Sequence, residues 1–287
     1  MEIIVGKTAG FCYGVKNAVD NASIELEKNG KICCLGEIVH NSNVVESLKS
    51  KGLIIIDDLS QNEDNLKTVI RAHGVSKKVY DNAKNQGIEL VDLTCPNVLK
   101  IHKIVSEHVQ KGFFVFVIGN KNHPETIGTI GFCNDNYAVI ENEDDINKSI
   151  DVINELGVKD LLIVVQTTFS VEKFEKYTNS IRDMAESNNV NVVIINTICN
   201  ATKIRQDETD KISKQVDYMI IIGGKNSSNT KKLYEIALKN CEKTICVEDA
   251  EEINIGSIKS CKRVGIMAGA STPQSSIDEV IELLKNT

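Results

Sequence analysis

The sequence predicts an α/β protein built from three small parallel-sheet domains, and three observations carry that prediction. Short apolar runs rich in Val and Ile alternate with amphipathic, helix-like stretches along the whole chain, the pattern of repeated βαβ units and not of sandwiches or bundles. Twelve such runs suit three sheets of about four strands each. A text of strand, cysteine and helix recurs once in each third of the chain.

In order, the expected strands are MEIIVG (1–6), KICCLG (31–36), GLIIID (52–57), TVIRAH (68–73), IELVDL (88–93), FFVFVIG (113–119), YAVI (137–140), LLIVVQ (161–166), VNVVIIN (190–196), YMIIIGG (218–224), TICVE (244–248) and RVGIMAG (263–269). Each is too short for a helix and carries the β-branched residues of a buried strand. Between them lie helical stretches such as GVKNAVDNASIEL (14–26) and SKKVYDNAK (76–84). The repeated texts are DLTCPNVLKIHKIV (92–105), NTICNATKIRQDE (196–208) and GFCYGVKNAVDNASIEL (10–26), the last read with a shorter strand-to-cysteine lead. Boundaries are placed near Cys95 and Cys199, giving domains 1–95, 96–196 and 197–287, with the N-terminal strand able to join the third.

The bulk composition narrows the function classes. No apolar run reaches the roughly 18 residues of a membrane span, and the start lacks the basic flank and apolar core of an export signal, so a cytoplasmic location is expected. In that compartment the 9 cysteines read as thiols or metal ligands and not as disulfides. The net charge of −7 argues against a nucleic-acid or anionic-membrane surface, because such surfaces must neutralise many phosphates. A small anion in a locally donor-rich pocket is compatible with it.

Cys12, Cys95 and Cys199 stand out because each closes a strand-like run and opens a helix-like one. The remaining six, Cys33, Cys34, Cys133, Cys241, Cys246 and Cys261, read as small buried hydrophobes. No closely spaced cysteine pair of the structural-zinc kind is present; three dispersed thiolates suit an iron–sulfur cluster with one iron left open. Other polar residues also gather at strand ends, where parallel sheets bind ligands. His40, His73 and His123 each follow a strand, whereas His102 and His108 lie within a helix and read as structural. Ser227, Ser228 and Asn229 follow Gly223 and Gly224 as three consecutive short donors, more than one helix cap needs, and resemble a phosphate cradle without the P-loop spacing. Ser271 precedes Pro273 as a cap would, Thr167 follows a strand, and Glu125 sits in an expected first helical turn, where a carboxylate interacts well with the dipole or relays a proton.

Taken together, GFCYGVKNAV, GEIVHN, RAHGV, DLTCPNV, NHPET, QTTFS, NTICNAT with RQDE, GGKNSSNT and GASTPQ resemble the motif set of the LytB-type iron–sulfur family, the 4-hydroxy-3-methylbut-2-enyl diphosphate reductases. The likeness runs from Cys12 to Pro273. It implies a pseudo-threefold cloverleaf of three α/β domains around a [4Fe–4S] cluster held by Cys12, Cys95 and Cys199 with one open iron. It further implies that His40, His73, Ser227, Ser228, Asn229 and Ser271 hold an allylic diphosphate, that His123 and Thr167 line the pocket, and that Glu125 donates protons. The implied reaction is the two-electron reductive dehydroxylation that closes the non-mevalonate isoprenoid pathway, with ferredoxin or flavodoxin as electron donor. A quinolinate synthase-like enzyme, also three-domained with three cluster cysteines but without net reduction, is the alternative; an iron–sulfur sensor lacks any output element in this chain.

Overall fold

The computed structural model describes residues 1–286, and every expected strand is present. The strands are β1 (Glu2–Val5), β2 (Ile32–Leu35), β3 (Leu53–Ile56), β4 (Thr68–Ile70), β5 (Leu90–Asp92), β6 (Phe114–Ile118), β7 (Tyr137–Ile140), β8 (Asp160–Val165), β9 (Asn191–Ile194), β10 (Tyr218–Ile222), β11 (Thr244–Val247) and β12 (Arg263–Ala268). The helices are α1 (Tyr13–Asn29), α2 (Ser42–Lys49), α3 (Lys77–Gln86), α4 (Pro96–Val109), α5 (Pro124–Ile130), α6 (Glu143–Glu155), α7 (Val171–Ser187), α8 (Asn200–Ser213), α9 (Ser228–Asn240) and α10 (Gln274–Lys285).

These elements form three four-stranded sheets of order β1-β12-β10-β11, β3-β2-β4-β5 and β7-β6-β8-β9, with every pairing parallel. The chain divides into two compact units, both discontinuous in sequence. The first comprises Met1–Ser23, Val39–Gly52 and Asn200–Thr287 and contains the sheet in which β1 pairs with β12; the second comprises Ile24–Ile38 and Leu53–Cys199 and contains the other two sheets.

Continuous apolar runs become parallel strands here because helices cover both faces, so neither face needs polar residues. In β6, Phe114, Phe116 and Ile118 pack with Ile146, Ile150 and Ile153 of α6 and with Phe174 and Ile181 of α7. The alternate residues Val115 and Val117 pack on the other side with Ile101 and Val105 of α4. The same alternation in β10 sends Ile220 and Ile222 toward Ile277 and Val280 of α10, and Met219 and Ile221 toward Leu233 and Ala237 of α9.

All three prolines of the chain stand where a strand end turns into a helix. Pro96 and Pro124 open α4 and α5, and Pro273 directly precedes α10. A first-turn proline loses nothing by lacking an N–H and brings its φ already set for helix. These junctions lie beside Cys95, His123 and Ser271, so rigid helix starts support the polar strand ends.

Phe116 is fully buried in β6, and Phe116→Ala is expected to destabilise the protein by about 3–5 kcal/mol through lost transfer energy and the cavity left behind. Leu156→Ala, at a residue 65% exposed, should change stability by no more than about 0.5 kcal/mol. Chemical denaturation of both variants checks the contrast.

Candidate functional site

The three sheets place their polar residues by one rule. One edge strand of each, β1, β5 or β9, leads to Cys12, Cys95 or Cys199. The strand beside it, β12, β4 or β8, leads to Ser271, His73 or Thr167. The next, β10, β2 or β6, leads to the Ser227–Asn229 cradle, to His40, or to His123 and Glu125. The far edge strands β11, β3 and β7 carry none of the expected site residues. All these side chains therefore lie beyond the carboxyl ends of parallel strands, where loops turn into helix N-termini.

Each of the three cysteines immediately precedes a helix, α1, α4 or α8. Each also donates its backbone N–H to the end of the neighbouring strand: Cys12 to Ala270 O at 3.1 Å, Cys95 to Ala72 O at 3.0 Å and Cys199 to Thr167 O at 3.0 Å. The acceptors are Thr167 itself and the residues just before Ser271 and His73. The thiols are partly exposed and outside any disulfide. By contrast, burial pushes Cys34 and Cys133 up to about 12 and raises Cys33, Cys241 and Cys246, which keeps these as inert thiols. The donor set of Cys12, Cys95 and Cys199 thus fits an iron–sulfur cluster.

The structure corrects one expectation from the sequence. The lead from strand to cysteine is longest at Cys12 and not shortest: β1 ends at Val5, whereas β5 ends at Asp92 and β9 at Ile194. The apolar text GFC continues no strand; it closes a loop in which Gly10 adopts φ +97°, a backbone conformation that glycine alone takes without strain.

In the first unit, His40, the cradle and Ser271 are joined through main chain. The Ser271 hydroxyl donates to His40 O at 2.9 Å. A Cβ on Gly224 would stand 2.6 Å from that same carbonyl, so glycine is required for the His40 backbone to pack there. Ser227 caps α9, its Oγ accepting from Thr230 N at 3.3 Å, while Ser228 is half-buried. Asn229 is 3% exposed, and neither its amide oxygen nor its nitrogen meets a hydrogen-bond partner among the described residues. Burying an unsatisfied amide is costly, and a polar ligand at the cradle would offset that cost.

In the second unit, His73 and His123 meet edge to face with ring centroids 5.5 Å apart. His123 Nδ1 accepts from Glu125 N at 3.2 Å. That bond assigns any ring proton of the neutral imidazole to Nε2. Glu125 is 3% exposed, and its two carboxylate oxygens accept from Thr167 N and Thr167 Oγ1, each at 2.6 Å. Burial raises its pKa from 4.5 to about 7, although the Thr167 donors pull the other way. A carboxyl poised there can give and retake a proton near neutrality. Since the Thr167 carbonyl also accepts from Cys199 N, one residue ties the acid to a cysteine.

His102, read from the sequence as structural, is buried and stacked on Phe132 with ring centroids 4.4 Å apart. Sequence reasoning does not single out Asn97, yet its Nδ2 donates to Cys199 Sγ at 3.2 Å. Its position two residues after Cys95 is the available signal, but the approach to a sulfur 102 residues away is tertiary.

Residues 3–285 match the family described as LytB protein. The chain is 42% identical over 289 residues to the 4-hydroxy-3-methylbut-2-enyl diphosphate reductase of Alkaliphilus oremlandii, covering 100% of both. To the enzyme of the same name from Aquifex aeolicus it is 39% identical, covering 98% of this chain and 94% of that one. Among solved structures it resembles an (E)-4-hydroxy-3-methyl-but-2-enyl diphosphate reductase described as the terminal enzyme of the non-mevalonate pathway, with TM-score 0.71, 38% identity and full coverage of both chains. It also resembles the E-1-hydroxy-2-methyl-but-2-enyl-4-diphosphate reductase of Plasmodium falciparum, with TM-score 0.89, 27% identity and coverage of 99% and 88%.

The raised pKa of Glu125 makes a pH signature. The folded chain keeps this proton where the unfolded chain releases it, so the folded state binds more protons between pH 4.5 and about 7. Its contribution to stability is then fully present below 4.5, declines as pH rises through that window, and is flat above it. Glu125→Gln should remove this part of the slope, as read by denaturation midpoints measured across the window.

Proposed function

Because the chain belongs to the LytB family, we propose that Cys12, Cys95 and Cys199 hold one [4Fe–4S] cluster with a single iron open to substrate, and that the neighbouring strand ends bind and protonate that substrate. The activity is reduction of (E)-4-hydroxy-3-methylbut-2-enyl diphosphate to isopentenyl and dimethylallyl diphosphate, the last step of the non-mevalonate isoprenoid pathway. Two electrons and two protons enter, the allylic C–O bond breaks, and water leaves. A quinolinate synthase-like reaction has no net reduction, and the family match favours the reductase. We take ferredoxin or flavodoxin as the electron donor.

When bound, the cluster supplies the electrons and a Lewis-acidic position for the substrate hydroxyl. The protein supplies position and protons. His40, His73, Ser227, Ser228, Asn229 and Ser271 hold the diphosphate with neutral or weakly basic donors aided by helix N-termini. His123, with Nε2–H as its donor, lines the pocket beside Thr167. Fixing the diphosphate turns remote binding energy into orientation of the distant hydroxyl.

Hydroxide is a poor leaving group, so its oxygen must be protonated as the C–O bond breaks. Glu125 stores that proton near neutral pH. The Thr167 hydroxyl, which here donates to Glu125 Oε2, reverses when Glu125 is the donor and passes its own proton outward. A second proton ends on either of two allylic carbons, which is why two products arise from one site.

The observation that carries this reading is Glu125, buried and held through both oxygens by Thr167, whose carbonyl in turn accepts from the Cys199 backbone. Glu125→Gln should keep its cluster but lose turnover by roughly 10²–10⁴-fold, the usual worth of a general acid. Near-normal turnover would remove Glu125 from the reaction. Cys12→Ser, Cys95→Ser and Cys199→Ser should each lower iron and sulfide content. The decisive assay uses anaerobic, cluster-reconstituted protein with the hydroxylated diphosphate and a chemical reductant, and absence of both isoprenoid diphosphates would overturn the function.

Asn229→Ala should weaken binding of the diphosphate substrate by about 10- to 100-fold, the worth of one hydrogen bond to a charged group. It should leave iron content unchanged. Isothermal titration against inorganic diphosphate and substrate, alongside iron analysis, checks both halves.

A further inference from the structure

The loop from Gly6 to Phe11 is the longest lead to any of the three cysteines; Gly6 N still donates to Ile266 O of β12 at 2.9 Å, and the following residues run on past the end of β1. Two side chains of α8 hold them. Arg205 Nε donates to Thr8 O at 2.8 Å and Arg205 Nη2 donates to Gly10 O at 2.8 Å. Glu208 Oε1 accepts from Lys7 N at 2.8 Å, and its Oε2 accepts from Thr8 N at 2.9 Å and from Thr8 Oγ1 at 2.5 Å. Arg205 and Glu208 are three apart, hence neighbours on one helix face, and Arg205 is 3% exposed. Between them they engage both donors and acceptors of the loop two to five residues before Cys12.

From this we propose that Arg205 and Glu208 are positioning residues for Cys12: they fix the Lys7–Gly10 backbone on α8 so that Cys12 is presented for ligation in one geometry. This rests on Cys12 being a cluster ligand, as in the proposed function. Several features set the pair apart from ordinary core residues. A buried guanidinium directed at two carbonyls of one loop uses its planar fork, which lysine cannot copy. Gly10, to whose carbonyl it donates, sits at φ +97°, and a Cβ there would stand 3.1 Å from Ile277 Cδ1, so glycine is the residue that fits this position of the loop. The leads to Cys95 and Cys199 are shorter, and each is anchored by the cysteine's bond to its neighbouring strand. Cys12 has that bond to Ala270 as well, but its longer lead leaves more backbone to order. The gripping helix is the one that Cys199 directly precedes, so a single helix carries one cysteine at its start and holds the loop of another.

Partners that orient a metal ligand typically change metal affinity by about 10–100-fold when removed. Arg205→Gln and Glu208→Gln in the anaerobically reconstituted full-length protein should therefore accelerate iron release to a chelator by roughly that factor. They should also broaden the electron paramagnetic resonance signal of the reduced cluster, while apo-protein circular dichroism stays native-like. Arg205→Lys, which keeps the charge and loses the fork, should resemble Arg205→Gln. In a Cys12→Ser background, adding either substitution should accelerate release no further, since the ligand it positions is already gone.

Normal release rates and spectra in both Gln variants, with Cys12→Ser clearly defective, would overturn the proposal and leave the cluster reading intact. Full acceleration on top of Cys12→Ser would also overturn it, by showing that the pair supports the fold at large. A Cys12→Ser protein with full iron and an unaltered spectrum would instead refute Cys12 as a ligand, and the proposal with it. If Arg205→Gln fails to fold, Glu208→Gln and Arg205→Lys carry the same comparison.

Discussion

A single backbone hydrogen bond recurs at each of the three cysteines: its N–H meets the carbonyl at the end of the adjacent strand, at Ala270, Ala72 and Thr167. The bond does for the loop what the ladder does for the strand. It continues pairing past the last residue of the sheet, so the thiol is tied to the element that carries Ser271, His73 or Thr167. A helix then starts at the next residue and directs its unpaired N–H groups to the same place. The proposed ligand and substrate residues are thereby coupled within each sheet by short covalent paths and one peptide hydrogen bond. The parallel arrangement makes this economical, since only parallel strands deliver all their carboxyl ends to one side.

The chemistry assigned to these ends is notable for its near lack of fixed positive charge. Histidine, serine, threonine and asparagine supply the donors, in a chain of net charge −7. Neutral donors cost less to bury than lysine or arginine while waiting for a ligand, and helix N-termini add partial positive charge without a mobile side chain. Glu125 obeys the same logic. Desolvation keeps much of its population protonated near neutrality, which in the proposed role spares an anionic substrate the repulsion of a carboxylate and stores a proton for the reaction. Arg205, although deeply buried, is turned toward the main chain of the 7–10 loop.

Much of this is legible in the sequence. All twelve strands appear as apolar runs because both faces of each sheet are covered, and the polar strand ends break those runs so abruptly that Cys95, His73, His123 and Thr167 announce themselves. Asn97, Arg205 and Glu208 do not. An Arg and a Glu three apart on a helix normally read as a solvated pair, and an Asn after Cys-Pro reads as a helix start; their partners lie about 100–200 residues away in sequence. The lead to Cys12 misleads for a related reason. A strand text and a loop text look alike when the loop is short and partly apolar, and φ at Gly10 is invisible in one letter.

The sequence by itself determined the α/β class, the number of strands, the three distinguished cysteines and the polar residues at the strand ends, because those arise from local periodicity and from breaks in it. Tertiary structure alone decided the order of strands within each sheet, and with it which residue stands beside which. It also raised Glu125 to about 7 and left the Asn229 amide buried without a partner among the described residues. These are properties of environment: desolvation, strand adjacency and the reach of a side chain across the fold depend on residues far apart in the chain. The cysteines were thus conspicuous as residue types in context, while the loop that presents Cys12 took its shape from a helix nearly two hundred residues away.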